Sequence, residues 1–323
     1  MDFKLLINNR GTIYDATELC EGEISLETQR RGSPAKLSFK ILRYENINYQ
    51  EGNEVVFSVK DNVIFRGYIF KKSRTKEQII DTTAYDQLIY LKKNKDTYVY
   101  KNKKASEIVQ MIADDYKIKT GTVTDTGYVI PNRSEDIQTL MDIIYNAIDL
   151  TVINTGNLFV LYDSAGELTL KNIEEMKLNK LISADNTLID YQYTTDIDSE
   201  TYNSVKLVRD MEKTKIRESY VAMDSNNIDK WGLLQYHEKV DENLTEAQII
   251  DLANKRLALY NKVKRTLSVE DLAGDFSVRA GNSVLIDIPS IGDISIKQWL
   301  MIDKCTHSIK ENEHRMKLDL IGL

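Results

Sequence analysis

The sequence predicts a β-rich α+β chain in three successive parts: strands, a small helix-and-strand unit, then strands again. Three observations carry this. Apolar and polar residues alternate in the first hundred residues, as in Leu37-Ser38-Phe39-Lys40-Ile41, which is the two-residue period of a half-buried strand. Near Tyr100 the period lengthens to that of a helix. Beyond about residue 173 alternation returns, most plainly where Met316, Leu318 and Leu320 interleave with Arg315, Lys317 and Asp319. At 323 residues the chain has length for about two or three compact units.

The first part holds a hairpin from Glu54 to Phe70. Val55 to Val59 forms one arm, Lys60-Asp61-Asn62 the turn, and Val63 to Phe70 the return, with Gly67 as a bulge or a point of close approach. A polar stretch, Lys71 to Glu77, leads to another strand from Gln78 to Ala84. Strands this short and closely spaced suggest a small barrel or sandwich. In the second part Ala105, Ile108, Met111, Ile112 and Tyr116 make an amphipathic helix. A second helix is expected from Glu135 to Asp149, capped by Ser134, with Glu135 and Asp136 in its first turn and Ile137, Leu140, Met141, Ile144 and Ile148 as its apolar stripe. Thr151–Ile153, Leu158–Tyr162 and Leu168–Lys171 then read as a three-stranded meander. One helix interrupts the third part, from Glu246 to about Lys262: Thr245 and Gln248 form a capping box and Leu244 staples onto Ile249. Ser283–Ile288, Gln298–Ile309 and Arg315–Ile321 follow as antiparallel strands.

Composition narrows the chemistry. A chain 42% hydrophobic and 29% charged fits a globular protein rather than disorder or a membrane bundle, and no apolar run approaches the roughly 18 residues of a membrane span. A net charge of −7 repels polyanions and anionic membranes. The N-terminus lacks a secretory apolar core, so synthesis in the bacterial cytoplasm without a signal peptide is expected. Cys20 and Cys305 are too few and too distant for a disulfide framework. Cys305, His307 and His314 offer metal-ligand chemistry, but His314 falls in the polar turn Lys310-Glu311-Asn312-Glu313, so a half-buried strand and a solvated turn is the expectation. Asp196, Asp198 and Glu200 start like a calcium loop, yet Thr201 stands where the turn wants Gly and Leu207 where a bidentate Glu is needed. The acid pairs Asp114-Asp115, Glu174-Glu175 and Asp241-Glu242 are sequence neighbours, and on a helix such side chains point about 100° apart rather than at one substrate. No nucleophile motif accompanies His237, His307 or His314, and no phosphate-binding glycine loop occurs. No catalytic residue, metal or cofactor is therefore expected. Residues 60–104 hold twelve Lys and Arg against five acids, including Lys71, Lys72, Arg74, Lys76, Lys92 and Lys93. Tyr90, Tyr98 and Tyr100 lie among them and could stack on bases. The basic surface suits an acidic protein partner better than nucleic acid.

Four stretches, Glu21–Ile41, Val63–Leu91, Ile197–Asp210 with its Thr201-Tyr202-Asn203, and Arg279–Gly322, resemble the baseplate hub proteins of contractile phage tails and phage-tail-like bacteriocins, of the XkdQ-like and late-control-protein-D-like kind. The resemblance runs along essentially the whole chain. It implies two tube-like β-barrel domains, 1–100 and 173–323, around an α+β domain of two helices and a three-stranded meander at 101–172. It also implies a homotrimer whose paired barrels adapt a sixfold tail tube to a threefold spike. The implied partners are the tail tube protein, the central spike protein and other baseplate proteins, with no membrane, and with nucleic acid only as cargo in the lumen. Gly67, Tyr68, Asp198, Thr201, Tyr202, Asn203 and Gly281 mark the resemblance as structural residues, and no catalytic or cofactor residue carries over. Some hub proteins of this kind carry a fused peptidoglycan-degrading domain; the resemblance here is to the version without it, and wall hydrolysis is expected of another protein. Two alternatives stay open, a tail-associated cell-wall glycan hydrolase and a nucleic-acid-contacting tail component.

Overall fold

The structure, a computed structural model, describes residues 2–43, 47–74, 76, 78–183, 190–211, 215–291, 294–311 and 313–322. Thr75 and Glu77 of the expected polar stretch and Asn312 of the expected turn lie outside these. The chain forms two compact units, Met1–Gln192 with Leu267–Gly322, and Tyr193–Thr266.

In the larger unit the chain opens with β1 (Phe3–Asn9), β2 (Thr12–Asp15), β3 (Ile24–Gln29), β4 (Lys36–Leu42), β5 (Glu54–Val59), β6 (Asn62–Arg74) and β7 (Ile79–Tyr85). The expected hairpin is β5–β6, with Val59 opposite Asn62 and Lys60 at a φ of 54° in the turn. Lys71 to Arg74 continue β6 rather than forming a loop, paired with Thr83 to Ile80 of β7, so the hairpin ladder extends past the apolar arm into polar, largely exposed residues. Leu5, Ile7, Leu37, Phe39, Ile41, Val55 and Phe57 are buried at alternate positions and build one core.

The middle of the chain adds α1 (Leu88–Lys93), β8 (Lys95–Lys104), α2 (Ala105–Asp115), β9 (Thr120–Val123), β10 (Val129–Thr139), α3 (Leu140–Thr155), β11 (Phe159–Asp163) and β12 (Leu168–Asn172). Two expectations are corrected here. The second helix begins at Leu140, not Glu135, and its cap is Thr139, whose Oγ1 accepts from the Asp142 N–H at 3.0 Å. Ser134, Glu135, Asp136 and Ile137 belong to β10, antiparallel to β8. Glu135 is fully buried, accepting from Arg133, from Gln138 Nε2 at 2.8 Å and from Asn146 Nδ2 at 3.1 Å. A carboxylate so well satisfied inside outweighs its suitability for an exposed first turn. Thr151 to Ile153 are the last turns of α3, not a strand. The Thr151 hydroxyl donates to the Ala147 carbonyl at 2.9 Å, and the helix ends at Gly156 with φ 75°. The third strand of this sheet is β9, parallel to β12, beside the antiparallel β11–β12 pair.

The rest comprises β13 (Lys177–Ser183), β14 (Asp190–Asp196), β15 (Ser204–Met211), β16 (Ile216–Met223), α4 (Ser225–Trp231), β17 (Gln235–Val240), α5 (Glu246–Tyr260), β18 (Lys264–Ala273), β19 (Ser283–Ile291), β20 (Ile294–Lys310) and β21 (Glu313–Ile321). In the larger unit the sheet order is β18-β21-β20-β3-β4-β7-β6-β5-β1-β2, with β19 on β20 and β13 on β19. The long β20 pairs first with β19 and then with β3, so Ile24 to Gln29 lie against Lys304 to Ile309. Among the described residues this path ends in a free strand, β2, and the two expected barrels are not closed within the chain. The fold class is β-rich α+β.

The smaller unit is a mixed sheet in the order β16-β15-β17 with α5 packed on it through Ile249 and Ala253 against Val205, Leu207 and Val240. The capping box forms in both directions: the Gln248 N–H donates to Thr245 Oγ1 at 3.3 Å and the Thr245 N–H to Gln248 Oε1 at 2.8 Å. Leu244 joins Ile249 in the same apolar cluster. Among the described residues no helix is long and apolar enough to cross a membrane.

Candidate functional site at the Gly274 to Asn282 loop

The loop between β18 and β19 is the point where distant parts of the larger unit are fastened together. Its own turns come first. Asp275 Oδ1 accepts from the Ser277 N–H at 2.8 Å and Asn282 Oδ1 from the Arg279 N–H at 2.8 Å. Gly281 has φ 91°, and a Cβ there would lie 2.6 Å from Val160 Cγ1, so conformation and space both demand glycine. From this frame the Ala280 N–H donates to Thr28 Oγ1 of β3 at 3.0 Å, and Asn282 Nδ2 to the Met176 carbonyl at 2.9 Å. The Gly281 N–H donates to the Ile302 carbonyl of β20 at 2.8 Å.

Arg279 turns its guanidinium inward. Its Nη1 donates to the Asp163 carbonyl at 2.9 Å and its carbon centre sits 3.8 Å from the Tyr162 ring centroid, a desolvated cation–π contact. Two buried carboxyls surround it electrostatically. Asp86 accepts from the Leu88 N–H at 3.0 Å and the Ala35 N–H at 2.9 Å, and Asp163 from the Gly166 N–H at 2.7 Å. Burial, then the charge of Asp163, pushes Asp86 well above the ordinary carboxylate range, and burial raises Asp163. Burial also opposes the charge on Arg279, but a guanidinium stays protonated in proteins. The site therefore sets one cation beside two carboxyls whose burial favours their protonated forms.

At the other end of the loop are the histidines. His307 Nε2 lies 2.9 Å from the Val278 carbonyl, and His307 Nδ1 lies 2.9 Å from His314 Nε2. Phe276 stacks on both rings, at 3.9 Å from His314 and 5.2 Å from His307. A Cβ on Gly274 would lie 2.0 Å from the His314 ring. His314 is thus not in a solvated turn, as the sequence suggested, but half-buried in β21, because its ring completes this stack. Cys305 Sγ approaches His307 from the Nε2 side, at 3.3 Å, opposite to His314, so the three side chains do not converge on one point. Among the described residues no group of three or more His, Cys, Asp or Glu is placed to hold a metal. Burial raises the Cys305 thiol to about 12 and lowers His307 to about 4, so neither has the form of a thiolate–imidazolium nucleophile.

The other residues singled out from the sequence lie elsewhere. Gly67 is buried in β6, and Tyr68 packs its ring 5.7 Å from Tyr90. Asp198 is exposed in the bend after β14, and Asp196 is occupied by Ser199, whose hydroxyl donates to it at 2.9 Å. In the smaller unit Thr201 Oγ1 donates to the Lys262 carbonyl at 3.2 Å, and Tyr202 packs with Tyr236 and Tyr260 at 5.5 and 5.7 Å. Asn203 is completely buried. Its Nδ2 donates to the Gly232 carbonyl at 2.7 Å and its Oδ1 accepts from the Leu234 N–H at 2.8 Å. Asn203→Ala leaves both backbone groups without that partner and is expected to cost about 2 kcal/mol, read as a lower urea midpoint at unchanged slope. Lys71, Lys72 and Arg74 stand at the end of β6, Lys76 in the following turn, and Lys92 and Lys93 in the last turn of α1. Lys72 Nζ is bound to the Tyr49 carbonyl at 2.5 Å. The tyrosines beside them are committed: Tyr100 is buried, the Tyr98 hydroxyl donates to Asp115 at 2.7 Å, and Tyr90 packs on Tyr68 and Phe70. They form no open platform for bases.

This arrangement of sheets is a fold shared with phage tail proteins. The 43 kDa tail protein of prophage MuSo2 from Shewanella oneidensis superposes over 98% of both chains with a TM-score of 0.69 at 11% identity. The chain belongs to the YqbQ-like family, whose profile matches residues 24–321. It is 33% identical over 309 residues to YqbQ of Bacillus subtilis (strain 168), covering 94% of this chain and 93% of that protein. It is 32% identical, with the same coverage, to the phage-like element PBSX protein XkdQ of the same organism.

Proposed function

We propose that the protein is a structural hub of a baseplate in a contractile tail or tail-like particle. In this reading it forms a trimeric ring that adapts the sixfold tail tube to the threefold central spike and meets the other baseplate proteins. The observation that carries the proposal is the kinship with XkdQ along nearly the whole chain, joined to a strand path with a free end at β2. A sheet open within one chain has unpaired N–H and C=O groups that neighbouring copies can complete, and a closed ring of identical copies uses every such edge. Residues 1–100 and 173–323 are then the two tube-forming parts, with 101–172 between them, and Lys71, Lys76, Lys92 and Lys93 offer a basic surface to an acidic neighbour. The buried acids and histidines of the Gly274 to Asn282 loop serve cohesion rather than chemistry.

The test is absolute mass by light scattering over a concentration series. The expected species is close to three times the 37.2 kDa chain, about 112 kDa, at the upper concentrations. A monomer throughout would overturn the self-assembling ring.

A further inference from the structure

We propose that the facing imidazoles of His307 and His314 are an acid-operated latch, which lets go of the Gly274 to Asn282 loop when both rings carry a proton. The hydrogen-bond pattern fixes where protons sit. The Val278 carbonyl can only accept, so His307 Nε2 carries the hydrogen toward it at 2.9 Å, and His307 Nδ1 is left as a lone pair. His314 Nε2, 2.9 Å from that lone pair, must then donate. A first added proton goes to His314 Nδ1 and disturbs neither bond. A second has only His307 Nδ1 to occupy, where the His314 N–H already points, and the contact becomes donor against donor.

His307 has no room to turn away. Both its nitrogens are engaged and Phe276 is stacked beside it. Its neighbours across the ladder, Leu26 of β3 and Met316 of β21, are uncharged. The charged and titratable groups around the pair are few. Asp275, held by Lys180 of β13, favours protonation of both rings; Arg279 disfavours it at His307; Cys305 is a neutral thiol. Relief must therefore come from the loop, by moving Phe276 and the Val278 carbonyl, and with them the Gly274 N–H to His314 carbonyl bond of 2.9 Å.

The sign of the effect follows. Burial holds His307 at about 4 in the closed form, while an open form titrates near the ordinary value of about 6.5. Closure is complete above about pH 6.5 and is lost as pH falls from there toward about 4.

Hydrogen exchange on the full chain at pH 7.5 and pH 4.5, corrected for intrinsic rates, tests this. The Gly274 and Gly281 amides are expected to lose protection on the order of a hundredfold at pH 4.5, while amides of the β1–β5 ladder keep theirs. His307→Gln can donate to the Val278 carbonyl and accept from His314 without titrating, and should abolish the loss. So should His314→Gln, whose amide can turn its oxygen to a protonated His307; this variant decides the matter if the first does not fold. Unchanged protection in the wild type, an equal loss in loop and ladder, or a loss that survives the substitutions overturns the latch.

Discussion

Arg279→Met is expected to lower the stability of the larger unit by about 3 to 5 kcal/mol, seen as a large fall in the denaturant midpoint with little change in slope. Methionine nearly fills the volume, so the loss is electrostatic. Without the guanidinium, the Asp163 carbonyl loses a charged donor at 2.9 Å and Tyr162 a cation at 3.8 Å. The Asp86 and Asp163 carboxyls lose the cation that favours their charged forms and keep the backbone N–H groups that donate to them. Breaking a buried charge assembly by removing one member costs far more than replacing the whole of it by neutral groups. The double variant Arg279→Met with Asp163→Asn should therefore regain more than half of the loss. A single variant as stable as the wild type would mean that both carboxyls are already protonated and that Arg279 balances nothing.

Gly67→Ala is expected to cost about 3 kcal/mol or more. The reason is space, since the φ of Gly67 lies outside the left-handed region. A Cβ there would fall 2.3 Å from the Tyr85 carbonyl oxygen and 2.6 Å from Phe65 Cζ. The first of these is backbone in the neighbouring β7, so a whole ladder must shift rather than one side chain. Gly52→Ala is the control: nothing lies within 4 Å of its Cβ and its φ is 84°, so it should cost only the left-handed penalty of about 1 to 2 kcal/mol. Thermal unfolding of both variants side by side separates crowding from backbone strain. Equal shifts would remove the close approach as the reason for glycine at position 67.

What the sequence made legible was local and periodic. The β5–β6 hairpin, the capping box of α5 and the run β19-β20-β21 depend on neighbours a few residues apart, and their signals survive into the fold. Gly67 could be picked out as a close-approach point because a glycine inside an apolar strand has few other uses. Ser134, Glu135 and Asp136 look like a helix entry and so hide the true start of α3. Only Arg133, Gln138 and Asn146 around a buried carboxylate make Glu135 a strand residue. Thr151 to Ile153 mislead in a similar way, since β-branched residues carry strand propensity that helix burial overrides. The fastening loop was nearly invisible. Asp86, Asp163 and Arg279 come from three widely separated segments, and nothing in the linear order announces that one cation will face two acids. Gly281 stands out in the sequence only through family resemblance. The polar neighbours of His314 point to solvent, because stacking on Phe276 is not written in the turn beside it.

The pairing of β3 with β20 also sets a timetable. Thr28 and Cys305 meet across 277 residues of chain. A ribosome adding roughly 5 to 20 residues per second delivers the second strand roughly 15 to 55 s after the first. Throughout that interval the nascent chain holds one side of β3 without its final neighbour, beside β4, and such an edge invites wrong pairings between crowded chains. Chains cut short before β20 therefore cannot seal this seam.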